Sequence, residues 1–149
     1  MGAWDNPLAG QSTYYVELQQ TSQILSNVTS KSLVILDELG RGTSTIDGCS
    51  LAYATLKHLL LNVKCCTLFV THYWLLTSLE AEYPENVANF YMGFIEEQED
   101  NIENQDSSTK IVFLYTVEKG VCPAQRSYAM NVARLAGIPT SVIVDASKR

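Results

Sequence analysis

The sequence has no long apolar run and few basic residues, and each of these absences excludes a class of function. No stretch reaches the roughly 18 apolar residues of a membrane-spanning helix, so none is expected. The first residues lack a basic segment followed by an apolar one, so no secretory signal is predicted. The net charge is −6, whereas binding of a DNA backbone requires clustered Lys and Arg. We therefore expect any DNA contact to come from sequence outside this chain.

The few cysteines match no zinc-binding pattern. Four occur, at positions 49, 65, 66 and 122, and two of them are adjacent. This usage favours a reduced, intracellular setting. Because Cys65 and Cys66 lie in an apolar stretch, we expect them to pack in the core rather than to carry chemistry.

Helical and strand patterns alternate along most of the chain. Predicted helices cover residues 12–29, 48–61, 73–83, 125–136 and a last segment from 139, and predicted strands cover 32–37, 66–70, 87–95 and 110–117. This order predicts an α/β fold whose largely parallel sheet is flanked by helices. In such sheets, ligands bind at the loops that follow the strands.

Two local expectations accompany this prediction. Asp47 is predicted to cap the helix over 48–61, and five apolar residues of that helix are expected to face the core: Leu51, Ala54, Leu56, Leu59 and Leu60. The segment 96–108 is rich in acids, with six between 96 and 106, and almost devoid of apolar residues. It is predicted to be a solvated loop or disordered insert without chemistry.

Two carboxylates follow the first predicted strand. The apolar run 33–36 leads directly into Asp37 and Glu38, a Walker B pattern. A buried strand would hold both side chains at the sheet edge, where Asp37 could bind Mg²⁺ through water and Glu38 could orient the water that attacks a γ-phosphate. By itself, this string also fits an ordinary strand with a polar end.

Three further strings lie where a nucleotide site would require them. A turn with glycines at 40 and 42 follows Glu38 at once, and glycine permits close approach of the backbone. A Thr-His-Tyr string at 71–73 follows the next predicted strand, and Ser12 stands at the start of a helix, where free N–H groups favour anions. A dinucleotide-binding oxidoreductase is a poorer interpretation, because Thr45 occupies the third glycine position and two acids would meet the pyrophosphate.

Together, these strings resemble the MutS family of DNA mismatch-repair proteins. The resembling segments are Ser-Thr-x-x-x-Glu at 12–17, Asp-Glu followed by Gly-Arg-Gly-Thr and Asp-Gly at 37–48, Thr-His-Tyr at 71–73, and Ser-Tyr to Leu-Ala-Gly-x-Pro at 127–139. Ala129 stands where the family has Gly, and 121–126 is about two residues longer than the family pattern. Within the family, residues 37–40, 52–56 and 91–95 are similar to the branch formed by the third eukaryotic homologue.

The resemblance implies an ABC-type ATPase domain that uses ATP and Mg²⁺. Asp37 would then hold Mg²⁺ through water, and the catalytic residues would be Glu38 and the switch histidine, His72. The remaining positions would form the rest of the nucleotide-binding site. Ser12 and Thr13 would belong to the signature that reaches the partner's nucleotide. Gly40, Gly42 and Thr43 would belong to the D-loop at the dimer interface.

The same resemblance implies partners and a location. They are a second MutS homologue, expected to be the second eukaryotic one, a MutL-type protein, and mismatched or looped DNA that binds outside this chain. Such a protein works in the nucleus, and no membrane partner is expected.

One element of an ABC-type ATPase does not occur in the sequence. A phosphate-binding loop requires Gly-Lys-Ser or Gly-Lys-Thr, and the chain contains no Gly-Lys pair. We therefore expect a fragment of the ATPase domain that lacks its P-loop portion and is inactive by itself. The alternatives are a non-catalytic dimerisation or interaction remnant of a degenerate MutS-like gene, or another ABC-type ATPase, although such proteins usually carry a Ser-Gly-Gly signature that this chain lacks.

Overall fold

A computed structural model describes residues 12–99, 108–122 and 129–147, which fall into two compact units that divide after Val87. The first unit contains α1 (Thr13–Asn27), β1 (Leu33–Asp37), α2 (Thr45–His58), β2 (Cys66–Val70) and α3 (Leu79–Glu82). The second contains β3 (Phe90–Glu99), β4 (Ser108–Lys119), α4 (Ala129–Leu135) and α5 (Thr140–Ser147). No helix within these described ranges has the length and apolar character to span a membrane.

The first unit is built around a parallel pair of strands. β1 pairs with β2 in a register that sets Leu33 opposite Cys66 and Asp37 opposite Val70. A parallel neighbour requires a crossover of about a dozen residues or more, and α2 with its continuation supplies it. These two strands are therefore adjacent and parallel, in agreement with the α/β fold that the sequence predicts.

The two faces of this sheet differ sharply in burial. Val34 and Leu36 are 5% and 0% exposed and form a core cluster with Leu39 and Leu59. The alternate residues stay more than half exposed, and because their register sets them side by side they share one surface: Leu33, Ile35, Leu68 and Val70. We call these four residues the open face.

Helix α2 begins three residues earlier than the sequence predicts. Its N-cap is Ser44 rather than Asp47, because the Ser44 hydroxyl accepts a hydrogen bond from the Asp47 N–H (3.2 Å). The same hydroxyl donates to the Asp47 carboxylate (2.6 Å), so Asp47 supports the cap from the first turn.

The buried stripe of α2 also differs from the expected one. Gly48, Ala52 and Thr55 are buried and Leu59 continues the stripe just beyond the helix, whereas Ala54 is exposed. The prediction for Ala54 was wrong because it followed apolar character alone. Small residues at this spacing let the helix approach its neighbours closely, and the Gly48 backbone makes use of that approach at the site described below.

Two helical segments depart from regular α-helix. The chain after α2 continues as a π-helix over Leu59–Val63, which ends at Lys64 in the left-handed region (φ 59°). Where one helix over 73–83 was predicted, a 3₁₀ segment over Trp74–Ser78 precedes α3. In that segment the Thr77 and Ser78 hydroxyls donate to carbonyls three residues back, a local bond that competes with regular helix.

The second unit contains an antiparallel pair, which corrects the expectation of a largely parallel sheet. β3 pairs with β4, from Phe90 opposite Lys119 to Glu99 opposite Ser108, with a register shift between Met92 and Phe94. No helix is predicted between these strands, and antiparallel neighbours need only a short connection. β3 also extends through 96–99, where a loop was predicted, while residues 100–107 of that acidic segment lie outside the described residues.

The last predicted helices are present in part. α4 covers Ala129–Leu135, inside the helix predicted over 125–136, and the predicted start at 125 lies outside the described residues. α5 starts at Thr140, directly after Pro139 as predicted. Gly137, between the two helices, has φ +78°, as expected of a residue that stops a helix.

Candidate functional site

The two predicted carboxylates lie at the carboxyl end of the parallel strands. Asp37 ends β1 with an exposed side chain, and the N–H of the next residue, Glu38, donates to the Val70 carbonyl (2.9 Å). Glu38 has φ 51°, in the left-handed region, which costs a residue with a side chain about 1–3 kcal/mol. Such strain persists only where the surrounding structure enforces it, and it concentrates at functional sites.

Glu38 is contacted from two sides. Its Oε1 atom lies 3.7 Å from Nδ1 of His72, which follows β2, and its Oε2 atom accepts from Nη1 of Arg41 at 2.6 Å. The two strand ends therefore bring Glu38 and His72, the predicted catalytic pair, to the same edge of the sheet.

The ion pair with Arg41 is weak despite its short distance. The Arg41 side chain is 76% exposed and that of Glu38 is 34% exposed. Exposed pairs of this kind contribute about 0–1 kcal/mol. Glu38 can therefore exchange Arg41 for another hydrogen-bond donor, such as a water molecule, at little cost.

Gly40 is held through both of its backbone groups. Its N–H donates to Oε1 of Glu17 in α1 at 2.6 Å, and its carbonyl accepts from the buried hydroxyl of Tyr73 at 2.9 Å. Burial of the ring, followed by nearby groups that include Cys49 and Glu17, raises the pKa of Tyr73 above its ordinary value of 10.0. The hydroxyl is therefore protonated at neutral pH and can donate.

Glycine is required at two points of this loop. Gly40 has φ +92°, and a Cβ atom there would lie 2.6 Å from the Gly48 carbonyl oxygen. A Cβ atom on Gly48 would meet both the Gly40 carbonyl and the Tyr73 hydroxyl. The loop and the first turn of α2 are thus in backbone contact. The close backbone approach that the sequence predicts at Gly40 is therefore to Gly48, which also has to be glycine.

The remaining predicted nucleotide-binding residues lie near this loop in sequence or on α1. Ser12 caps α1 by accepting from the Tyr15 N–H (3.2 Å), and Thr13 opens the helix one turn before Glu17. Gly42 faces α1 directly, since a Cβ atom on it would lie 3.0 Å from Cβ of Tyr14. Thr43 is half-buried in the same turn, ahead of the Ser44 cap.

Sequence patterns missed three participants in this site: Glu17, Gly48 and the Tyr73 hydroxyl. Each of these residues belongs to one of the motifs described above. Its contact, however, joins two motifs that are far apart in sequence, and the spacing of residues along the chain does not indicate such contacts. Glu17 ends the Ser-Thr-x-x-x-Glu string, and in the structure its carboxylate accepts from the Gly40 N–H, a contact that the string does not indicate. No signal in the sequence marked these contacts, because the burial that makes the Tyr73 hydroxyl require a partner is visible only in the structure.

Asp37 and Glu38 could serve Mg²⁺ only in a site where water and phosphate oxygens supply most of the ligands. Among the described residues, no group of three or more His, Cys, Asp or Glu side chains could enclose a metal ion. In nucleotide sites Mg²⁺ takes one or two carboxylates and completes its shell with water and phosphate oxygens. One exposed carboxylate, Asp37, fits that limited role.

The sequence comparisons assign this arrangement to a family. Residues 1–149 match the sequence profile of MutS domain V. The chain therefore belongs to the MutS family, as its resemblance indicated.

Its relatives include mismatch-repair proteins of one branch. The DNA mismatch repair protein Msh3 of Dictyostelium discoideum is 53% identical over 149 residues, which cover 100% of this chain and 10% of that protein. MSH3 of Meyerozyma guilliermondii is 48% identical over 99% of this chain and 15% of its own length, and human Msh3 is 44% identical over 100% and 13%. The predicted similarity to the third eukaryotic homologue is confirmed, and the chain spans 10–15% of the length of these relatives.

Proposed function

We propose that this chain is the part of a mismatch-repair ATPase that positions Mg²⁺ and the attacking water for ATP hydrolysis. The observation that carries the proposal is the approach of His72 to the Glu38 carboxylate at the edge where β1 and β2 end. The resemblance of their motifs to the MutS pattern assigns Glu38 to water activation and His72 to γ-phosphate sensing, and the chain's membership of the MutS family supports this assignment.

In the proposed mechanism each residue has a separate task. Asp37 would accept hydrogen bonds from the waters of Mg²⁺, which neutralises charge on the phosphates when it is bound. Glu38 would orient the attacking water and accept its proton. His72, which lies beside the Glu38 carboxylate, would donate a hydrogen bond to the γ-phosphate. The phosphates themselves would rest on a P-loop outside this chain.

The glycine loop and α1 would serve the dimer. Gly40, Gly42 and Thr43 would form the D-loop at the subunit interface. Ser12 and Thr13, with the free N–H groups at the start of α1, would contact the nucleotide held by the partner subunit.

The proposed partners follow from the family and from charge. The protein would pair with the second eukaryotic MutS homologue, act with a MutL-type protein, and work in the nucleus on mismatched or looped DNA. The net charge of −6 leaves the DNA contacts to other parts of the longer protein.

The direct test has two stages. The coding sequence upstream should encode Gly-x-x-x-x-Gly-Lys-Ser, and the complete protein, meaning the longer chain that contains this segment, should hydrolyse ATP with its partner. Asp37→Asn should then raise the Mg²⁺ concentration needed for half-maximal turnover, whereas Glu85→Gln, at an exposed site away from the strand ends, should leave it unchanged. Absence of Mg²⁺-dependent turnover would contradict the proposal and favour the non-catalytic interaction remnant.

A further inference from the structure

Tyr73 links the histidine segment to the loop that carries Glu38. Its side chain is 6% exposed, and its hydroxyl donates to the Gly40 carbonyl. Its ring packs against the ring of the preceding residue, His72, with centroids 4.4 Å apart. One residue therefore touches both the histidine and the loop after Glu38.

Glu17 holds the same glycine from the opposite side, through the Gly40 N–H. The peptide groups on both sides of the Gly40 Cα are thereby fixed by side chains from two distant parts of the chain. We call Glu17, Gly40 and Tyr73 the Gly40 clamp. The contact between Gly40 and Gly48 leaves no room for this loop to shift toward α2.

The clamp acts on a strained stretch of backbone. Glu38 and Gly40 both have positive φ, and Leu39 between them is fully buried. A positive φ at Glu38 requires constraint from its surroundings. The buried Leu39 side chain and the two hydrogen bonds at Gly40 supply that constraint immediately after Glu38.

We infer that Tyr73 and Glu17 are positioning residues for Glu38, setting its carboxylate relative to His72 through the Gly40 clamp. The inference rests on the proposed function, since it assumes that Glu38 orients the attacking water. Tyr73 and Glu17 act on Glu38 through the Gly40 backbone, and Tyr73 also contacts the His72 ring. Their effect is geometric, and a displacement of about 1 Å at a reacting group can lower the rate roughly a hundredfold.

The test uses the complete protein with its partner and compares two tyrosine substitutions. Tyr73→Phe removes the hydroxyl that holds Gly40, and Tyr53→Phe removes one that donates to the exposed Glu82 (3.2 Å) and serves as the matched control. We expect Tyr73→Phe to lower the single-turnover rate constant about ten- to a hundredfold with the dissociation constant for ATP unchanged, and the control to retain the wild-type rate. A rate constant is measured because, unlike total activity, it does not depend on the folded fraction.

Glu17 provides a second, independent arm. Glu17→Gln keeps an oxygen that accepts from the Gly40 N–H and should retain most of the rate, whereas Glu17→Leu removes it and should reproduce the loss in Tyr73→Phe. If Tyr73→Phe does not fold, the comparison of Glu17→Gln with Glu17→Leu tests the positioning role. An active wild type in which Tyr73→Phe matches Tyr53→Phe, or Glu17→Leu matches Glu17→Gln, would overturn the positioning role. An inactive wild type would instead overturn the proposed function.

Discussion

The Nδ1 atom of His72 lies 3.7 Å from the Oε1 atom of Glu38, although the two residues follow different strands. The parallel register of β1 and β2 creates this approach, because it brings both strand ends to one edge. The side chains of Glu38 and His72 could thus act on the same small molecule bound at that edge.

Replacing Glu38 by Gln should separate ATP binding from hydrolysis in the complete protein. The amide cannot accept a proton, while Asp37 still serves Mg²⁺, so we expect ATP affinity to remain and single-turnover hydrolysis to fall by about 10²–10⁴. Quenched-flow measurement of phosphate formation would test this. Glu85→Gln makes the same chemical change at an exposed position and should hydrolyse normally. Unchanged hydrolysis in Glu38→Gln would assign Glu38 another role.

Alanine at Gly40 should destabilise the fold more than alanine at another glycine of positive φ. Gly137→Ala introduces backbone strain alone, of about 1–2 kcal/mol, because open space surrounds its Cβ position. Gly40→Ala adds a collision with the Gly48 backbone, of about 1–3 kcal/mol more. Gly48→Ala introduces the collision without positive φ. Urea unfolding of the three variants measures the difference, and equal losses for Gly40→Ala and Gly137→Ala would show that the loop can move aside.

Ser12→Ala should impair the nucleotide site whose P-loop belongs to the partner subunit. The hydroxyl also caps α1, so the substitution costs about 1 kcal/mol of stability in addition. Ser44→Ala removes the equivalent cap from α2 and controls for that loss. Dimers with one mutant subunit, assayed for ATP turnover at each site, test the prediction. A defect confined to the mutant subunit's own P-loop site would contradict it.

The chain by itself should neither hydrolyse ATP nor bind mismatched DNA specifically. It carries the Mg²⁺ carboxylate, the water-positioning Glu38 and His72, but it contains no Gly-Lys pair to hold the phosphates. Phosphoryl transfer depends almost wholly on positioning and charge stabilisation. Turnover by the purified chain that disappears in its Glu38→Gln variant would reveal a phosphate-binding loop of another kind.

The purified chain should also self-associate through the open face. Apolar patches of this kind mark contact surfaces or lead to aggregation. Ile35→Lys, within the face, should lower light scattering at a given concentration, whereas Ile46→Lys, on a residue 79% exposed in α2, should change it little. Equal effects of the two substitutions would indicate that net charge, rather than the face, controls solubility.

The parallel strands and their polar ends could be predicted from sequence because local signals agreed. The sequence has a short apolar run that ends in acids, then a predicted helix, then a second apolar run that ends in Thr-His. Few arrangements other than a parallel strand pair fit this order. Burial of the first strand was predicted only in part: Val34 and Leu36 lie in the core, whereas Leu33 and Ile35 are more than half exposed.

The Gly40 clamp and the stripe of α2 could not be predicted, because they depend on contacts between separate segments. Ala52 and Thr55 are buried while Ala54 is not, which apolar character alone cannot distinguish. The left-handed φ of Glu38 is likewise unpredictable from its residue type, since glutamate rarely adopts it. The antiparallel β3–β4 pair was missed because the helix–strand alternation was extended to these strands, although no helix is predicted between them. The end of β3 over 96–99 was missed because the acidic residues were interpreted as loop.

The alternation of side chains at the start of β2 has a practical consequence for two adjacent thiols, Cys66 in the strand and Cys65 immediately before it. Cys65 packs against the core cluster that contains Val34, whereas Cys66 is exposed on the side of Leu68 and Val70. A slip of one residue in strand register would exchange the two environments. The ratio in which a thiol reagent modifies Cys66 and Cys65 therefore reports the register of β2 against β1, and no probe has to be introduced.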